Sequence, residues 1–183
     1  MDEIIIVSGV PRSGTSLMMQ MLKAGGIEIL SDDKRVADIN NPEGYFEYDK
    51  VNYLPEETEW LKEARGKAVK ILYHKLIYLP GDYEYKVILM RRDNEEINLS
   101  QNKMAGTKAS IDYEEQIKII RDFMLLKNNF SFIEIFYNRL LSGQSNILIA
   151  NIDIIRIFLQ REMDITAMIS QIKPELYRNR KES

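Results

Sequence analysis

The chain has 183 residues, of which 45% are hydrophobic, and this length and composition suit a single domain over residues 1–183. The net charge of −3 gives no electrostatic case for nonspecific binding to nucleic acid. The absence of cysteine excludes disulfides and thiolate metal sites.

The sequence shows no feature of a membrane or secreted protein. No apolar run approaches the roughly 18 residues that a membrane-spanning helix needs. The opening MDEIII is acidic, has no basic n-region and enters a predicted strand at once. We expect a cytoplasmic protein without nucleic-acid or membrane partners, and the sequence leaves its oligomeric state open.

Short apolar segments of strand character alternate with helical patterns along the chain. The five predicted strands are Ile4–Val7, Ile27–Leu30, Ala68–Leu72, Lys86–Met90 and Phe132–Phe136. This alternation predicts an α/β fold, a three-layer domain with a central, mainly parallel β-sheet flanked by helices. Ligands of such sheets bind outside the carboxyl ends of the strands.

Four helical segments are predicted from the spacing of apolar residues. One runs from Gly14 to Gly25, one lies within residues 112–130, and two follow near the C-terminus, around Ile152–Leu159 and Met163–Ile172. The least regular region is Ser31–Tyr53. Because loops of that length in compact domains often carry function, we expect part of this region at the site.

The strongest functional signal is the segment Ile4–Ser16, IIIVSGVPRSGTS. An apolar strand enters a turn bounded by Gly9 and Gly14 and a helix follows, which is the layout of a phosphate-binding loop of the P-loop type. The spacing is that of a Walker A loop, but Thr15 stands where a nucleotide triphosphatase needs lysine. The basic side chain is Arg12, inside the loop, which argues against ordinary ATP chemistry. The alternative is a tight strand-to-helix turn without a ligand.

The stretch Pro11–Ser16, PRSGTS, resembles the first motif of the sulfotransferase family, P-[KR]-S-G-T-[ST]. Its arginine form is most similar to that of tyrosylprotein and bacterial carbohydrate sulfotransferases. The resemblance implies that the loop holds the 5′-phosphosulfate of 3′-phosphoadenosine 5′-phosphosulfate (PAPS), a co-substrate that is used without a metal. The implied contacts are Arg12, Ser13, Gly14, Thr15 and Ser16.

A second candidate anion site follows the predicted strand Lys86–Met90. Asp93, with Glu96 three residues later, can form a reciprocal helix cap. On one straight helix, positions 92 and 100 would lie roughly 12 Å apart. Arg92 and Ser100 can therefore share an anion only if the chain turns between strand and helix, and the cap places a turn there.

This pattern resembles the second sulfotransferase motif, in which an arginine at a strand end and a serine eight residues later hold the 3′-phosphate of PAPS. Arg92 has that spacing to Ser100, and Arg91 does not. The alternative is that both arginines are solvated and pair with Glu95 and Glu96.

The resemblance extends to NPEGYFEY at Asn41–Tyr48, which is similar to bacterial sulfotransferase-domain proteins. The chain also departs from the family. Cytosolic eukaryotic members place a catalytic histidine two residues after a strand lysine, but here Leu72 follows Lys70 at that distance and the lone His74 lies two positions further on. The family's basic C-terminal segment has a faint counterpart in Arg178–Lys181.

Sulfuryl transfer needs a base for the acceptor's proton and positive charge on the leaving oxygen. Arg12 is the candidate for the charge. Tyrosylprotein-type enzymes place a catalytic glutamate at a distance after the first motif that falls here on Asp32 or Asp33. We rank Asp33 first as the base, then Glu47, then His74. The alternative is a solvated loop position for each carboxylate and a structural role for the histidine.

We therefore expect a PAPS-dependent sulfotransferase that acts on a hydroxyl or amine of a small-molecule or carbohydrate acceptor. One alternative is a P-loop kinase-like phosphotransferase, which would need Mg²⁺ and ATP. The other is a non-catalytic nucleotide-binding module, indicated by the short chain and the undetermined base. The sequence does not identify the acceptor.

Overall fold

The computed structural model of the chain describes residues 3–32, 34–38, 41 and 44–174. Five strands of these residues form one sheet: β1 (Ile4–Gly9), β2 (Ile29–Leu30), β3 (Ala68–Lys70), β4 (Tyr85–Arg91) and β5 (Phe130–Phe136). Their order is β2-β3-β1-β4-β5, and every neighbouring pair is parallel. Helices flank the sheet, so the predicted α/β class is confirmed.

The connections between the strands are helical. The α-helices are α1 (Thr15–Ala24), α2 (Leu61–Ala64), α3 (Asn94–Ala105), α4 (Glu114–Leu125), α5 (Tyr137–Leu140), α6 (Ser145–Leu159) and α7 (Ile165–Ser170). Two 3₁₀-helices, Asp49–Tyr53 and Tyr73–Tyr78, precede α2 and β4 respectively. Among the described residues, no helix is both long enough and apolar enough to cross a membrane.

The central strand β1 is apolar along its length because both of its faces are covered. Ile4 and Ile6 pack in one core layer, with residues of α2 and α4. Ile5 and Val7 pack in the other, with residues of α1, α6 and α7. All four side chains are fully buried, which is the pattern of a parallel strand between two helical layers.

The five predicted strands are present, and their ends differ from the prediction for local reasons. The Ile27 N–H donates to the Leu22 carbonyl (2.9 Å) and so completes the end of α1, which leaves only Ile29–Leu30 for β2. Strand β3 stops at Lys70 because Leu72 caps the 3₁₀-helix that follows. The start of β2 and the end of β3 are thus determined by the ends of neighbouring helices rather than by the extent of the hydrophobic runs.

The predicted turn between β4 and α3 is present. The Asp93 side chain accepts hydrogen bonds from the N–H groups of Glu95 (2.9 Å) and Glu96 (3.3 Å). The strand ends at Arg91 and the helix begins at Asn94, so residue 92 stands at the turn, at the carboxyl end of the sheet.

Candidate functional site

A cavity of about 300 Å³ opens at the carboxyl edge of the sheet, where β1, β3 and β4 end. The loop after β1 and the first turn of α1 form its floor, including Arg12, Gly14 and Ser16. Arg92 at the β4–α3 turn and Ser100 on α3 form one wall. The structure thus brings the two sequence motifs to one cavity.

The charge of this cavity is opposite to that of the whole chain, which has a net charge of −3. Of the described residues that line it, one is acidic, Glu47, and six are basic: Arg12, Arg35, Lys70, Arg92, Lys103 and Lys173. Such a concentration of positive charge in a concave site favours an anionic ligand.

The loop that follows β1 has the backbone shape of an anion-binding turn. Arg12 has a φ of 77° and Gly14 a φ of 101°, both in the left-handed region. A Cβ on Gly14 would lie 2.3 Å from Cδ2 of Tyr137, so the chain passes against that ring where only glycine fits. No described side chain caps α1, and the N–H groups of its first turn are therefore suited to an anion.

Direct contacts join the first motif to the second. Arg12 Nε donates to Ser100 Oγ (2.9 Å), which leaves the serine's own O–H to donate to a ligand. Arg92 Nη1 donates to the carbonyl oxygen of Arg12 (3.1 Å). Burial lowers the pKa of Arg12, and the nearby charge of Arg92 acts in the same direction. An anion between these groups would offset their repulsion.

The alternative for the two arginines is present only in part, because Arg92 pairs with Glu96 but is buried rather than solvated, and Arg91, in the described part of the chain, pairs with glutamates other than the two expected. Arg92 Nε donates to Glu96 Oε2 (2.9 Å) in a buried pair, while the same guanidinium stacks 4.7 Å from the centre of the Tyr137 ring. Arg91 pairs with Glu114 and Glu134 and is not among the cavity residues. Arg92 therefore combines an ion pair with a position on the cavity wall.

Ser13 is the one predicted loop contact that does not line the cavity. Its side chain is buried, and its N–H donates to the Val10 carbonyl (3.0 Å). A Cβ on Gly9 would lie 2.5 Å from the Ser13 hydroxyl oxygen. This serine packs inside the loop, while Gly14, Thr15 and Ser16 line the cavity.

Lys70, at the end of β3, lines the cavity, but the sequence analysis did not propose it as a site residue. There it served only as the reference point for the family's histidine. Its Nζ donates to the Tyr45 carbonyl (2.9 Å), to Glu47 Oε1 (3.4 Å) and to Ser16 Oγ (3.5 Å). Burial lowers the pKa of Lys70, and the Glu47 carboxylate opposes that shift. A charged residue that ends a buried apolar strand was the signal that could have identified it.

Asp33, which the sequence ranks first as the base, lies outside the described residues and stays a prediction. The Asp32 carboxylate accepts hydrogen bonds from the N–H groups of Lys34 (3.1 Å) and Asp49 (2.7 Å), so it stabilises the segment between β2 and the first 3₁₀-helix. Asp32 is not among the residues that line the cavity.

Glu47 and His74 differ in their relation to the cavity. The Glu47 carboxylate lines it, between Lys70 Nζ (3.4 Å) and Arg35 Nη1 (3.1 Å). His74 lies in the second 3₁₀-helix, packs edge-on against Tyr73, and is not among the cavity residues. Burial lowers the pKa of His74, and the charge of Lys75 adds to the shift.

No group of three or more His, Cys, Asp or Glu side chains within the described part of the chain could hold a metal ion. The basic segment Arg178–Lys181 lies outside the described residues.

No family model matches the sequence, and no curated protein matches it either. Solved structures do resemble it. Mouse sulfotransferase SULT7A1 complexed with PAP aligns with a TM-score of 0.51 at 14% identity, over 93% of this chain and 62% of that one. The sulfotransferase domain from the curacin biosynthetic pathway aligns at 14% identity over 100% of this chain and 79% of that one, with a TM-score of 0.45, and we draw nothing from it.

The likeness to SULT7A1 shows the fold: the chain has the α/β architecture of a sulfotransferase. This chain spans less than two thirds of the length of the mouse protein's chain.

Proposed function

We propose that this chain is a PAPS-dependent sulfotransferase that transfers a sulfuryl group to a hydroxyl or amine of a small-molecule or carbohydrate acceptor. The observation that carries the proposal is the bond between Arg12 and Ser100, which joins two anion-binding motifs in one positive cavity. The fold supports it, because SULT7A1 was crystallised with PAP, the desulfated nucleotide.

The residues around the cavity fit a nucleotide with phosphates at two ends. The loop at Arg12 and the first turn of α1 would hold the 5′-phosphosulfate through main-chain N–H groups. The Arg92 guanidinium and the Ser100 hydroxyl would hold the 3′-phosphate as charged and neutral donors. The ligand carries about four negative charges near neutral pH, about two on the 3′-phosphate and about one each on the phosphate and the sulfate of the 5′-phosphosulfate, and the basic residues of the cavity suit such an anion.

PAPS supplies a sulfuryl group bonded to a phosphate oxygen: the acceptor oxygen or nitrogen bonds to sulfur, the sulfur–oxygen bond to phosphate breaks, and that oxygen leaves with the bisphosphate. Lys70 and Arg12 place positive charge where this oxygen becomes negative. Glu47 takes the acceptor's proton, because it is the candidate carboxylate that lines the cavity among the described residues. Its position 3.4 Å from Lys70 Nζ brings base and cation together.

The test of the nucleotide assignment is a thermal-shift and calorimetric comparison of PAP without metal against ATP with Mg²⁺. PAP at one hundred times its dissociation constant should stabilise the protein by about 2.7 kcal/mol. ATP with Mg²⁺ should stabilise it far less. The opposite ranking would favour a phosphotransferase and contradict the proposal.

The test of the chemistry is conversion of PAPS to PAP over a panel of hydroxyl and amine acceptors. Glu47→Gln should bind PAP as tightly as the wild type and lose about 100-fold or more in turnover, the usual contribution of a general base. His74→Gln is the matched control and should keep wild-type turnover. Tight PAP binding without transfer to any acceptor would leave the chain a binding module.

A further inference from the structure

The basic residues of the cavity follow the order of the strands. Arg92 follows β4, and Lys103 lies on the helix after it, on one side of β1. On the other side Lys70 ends β3, and Arg35 lies in the segment after β2, the edge strand. Arg35 thus follows a strand that β3 and β1 separate from β4, the strand that Arg92 follows.

A chain of contacts leads from the loop after β1 to Arg35. Ser16, a predicted 5′-phosphosulfate contact, meets Lys70 Nζ at 3.5 Å. Lys70 meets Glu47 at 3.4 Å, and Glu47 meets Arg35 at 3.1 Å. Arg35 is thus in direct contact with the proposed base. An acceptor must lie next to the base that takes its proton, so it would also lie near Arg35.

We propose that Arg35 recognises an anionic group on the acceptor, so that the acceptors are hydroxyl compounds that carry a carboxylate. This inference rests on the proposed function, because it assigns the substrate class of the same cavity. The nucleotide's charges are matched on the Arg12 and Arg92 side, and the guanidinium of Arg35 is left to face the acceptor.

The Arg35 side chain is held in a shape suited to a carboxylate. Its Cζ lies 3.5 Å from the centre of the Tyr45 ring, and that ring is buried with its hydroxyl donating to both Asp38 carboxylate oxygens (2.9 Å each). The guanidinium is thus backed by a fixed aromatic face. A stacked guanidinium is oriented before the ligand arrives, and its positive charge and planar set of donors favour a carboxylate over a neutral group.

The Arg35 side chain also has several N–H donors and is accessible from the cavity. A guanidinium has five N–H donors, and the bonds from Arg35 to Glu47 come from a single nitrogen, Nη1, at 3.1 and 3.4 Å. The side chain is 47% exposed and lines the cavity. An acceptor whose carboxylate binds Arg35 would hold its hydroxyl next to Glu47, the residue that takes the proton.

The experiment compares two isosteric probes, 4-hydroxybenzoate and the neutral 4-hydroxybenzamide, titrated by calorimetry into protein saturated with PAP. The wild type should bind the acid at least about tenfold more tightly than the amide, as expected for a charge-assisted pair with arginine. Arg35→Gln should lower that ratio to about one. Lys34→Gln removes the same charge from the neighbouring residue, which pairs with Asp49, and should keep the ratio.

The possible outcomes separate failure of the Arg35 inference from failure of the proposed function. Equal binding of acid and amide to the wild type, or an acid preference that survives in Arg35→Gln, overturns the inference while PAP binding leaves the proposed function standing. A wild-type protein that binds neither probe also counts against it. Failure of PAP to bind, measured before any probe is added, overturns the proposed function and the inference together.

Discussion

Arg12 has a left-handed backbone although it is not glycine, with a φ of 77°. A non-glycine residue in that region costs about 1–2 kcal/mol, and such strain is concentrated at functional sites. Here it turns the side chain toward Ser100 and the carbonyl toward Arg92. The backbone strain is thus tied to the contact that joins the two motifs.

This strain allows a test that separates folding from binding. Arg12→Gly removes the guanidinium and relieves the backbone, whereas Arg12→Ala removes the guanidinium and keeps the strain. Both variants should weaken PAP binding about tenfold or more by calorimetry, because a hydrogen bond to a charged group is lost. In urea, the glycine variant should be the more stable of the two. An alanine variant that binds PAP like the wild type would contradict the assignment.

Lys70 is a buried cation whose pKa lies below its ordinary value because burial penalises the charged form. The unfolded chain therefore binds that proton more tightly, and this residue's penalty to stability falls as pH rises from the lowered pKa toward 10.5. The structure keeps a destabilising charge at the place where the proposed reaction needs one.

Lys70→Met should abolish sulfuryl transfer, and it should remove the rise in the free energy of unfolding with pH that the lowered pKa of Lys70 gives the wild type. Denaturant unfolding between pH 7 and 10 should therefore show the wild type gaining stability relative to the variant as the pH rises. Lys118→Met, at an exposed position of α4, is the control and should show no such trend. A Lys70→Met variant whose stability relative to the wild type does not fall with rising pH would refute this account.

At the scale of elements, the loop before α1 and the start of α5 fit each other closely. Gly14 passes against the Tyr137 ring, and the same ring supports the Arg92 guanidinium. The packing of α5 therefore positions both candidate anion-binding motifs, although the sequence analysis assigned no role to Tyr137.

A pair of glycine variants measures this contact. Gly14→Ala should destabilise the chain by about 3 kcal/mol or more in urea, because backbone strain is joined by overpacking against Tyr137. Gly26→Ala has similar strain, with a φ of 94°, but its Cβ would meet nothing within 4 Å, and it should cost about 1–2 kcal/mol. Equal losses in the two variants would show that the ring contact is unimportant.

Elements buried on both faces could be predicted from the sequence, and segments set by side-chain contacts could not. The apolar run of β1 and the glycine-bounded turn after it predicted the sheet and the edge at which the cavity lies, because residue type determines hydrophobic burial and backbone freedom. Arg35 and Tyr45 lie in an irregular segment whose path depends on distant bonds, such as Asp32 to Asp49. No periodicity encodes such bonds, so these residues were not assigned to the site.

For the whole molecule, the main feature is the segregation of charge. A chain of net charge −3 gathers six of its basic residues around one cavity. The first motif follows β1 and the second follows β4, and these two strands are neighbours in the sheet. The motifs therefore lie side by side at the carboxyl ends of the strands, where one bisphosphorylated nucleotide could span them. The central claim is that the two motifs bind opposite ends of a single ligand.

The most direct measurement of that claim is calorimetric titration of PAP and of AMP, which lacks the 3′-phosphate, into the wild type and Ser100→Ala. The wild type should bind PAP about 100-fold more tightly than AMP, because two charge-assisted contacts of about 1.5 kcal/mol each are added. Ser100→Ala should weaken PAP about tenfold and leave AMP unchanged. Equal affinity of the wild type for PAP and AMP, or equal weakening of both ligands by Ser100→Ala, would contradict the account.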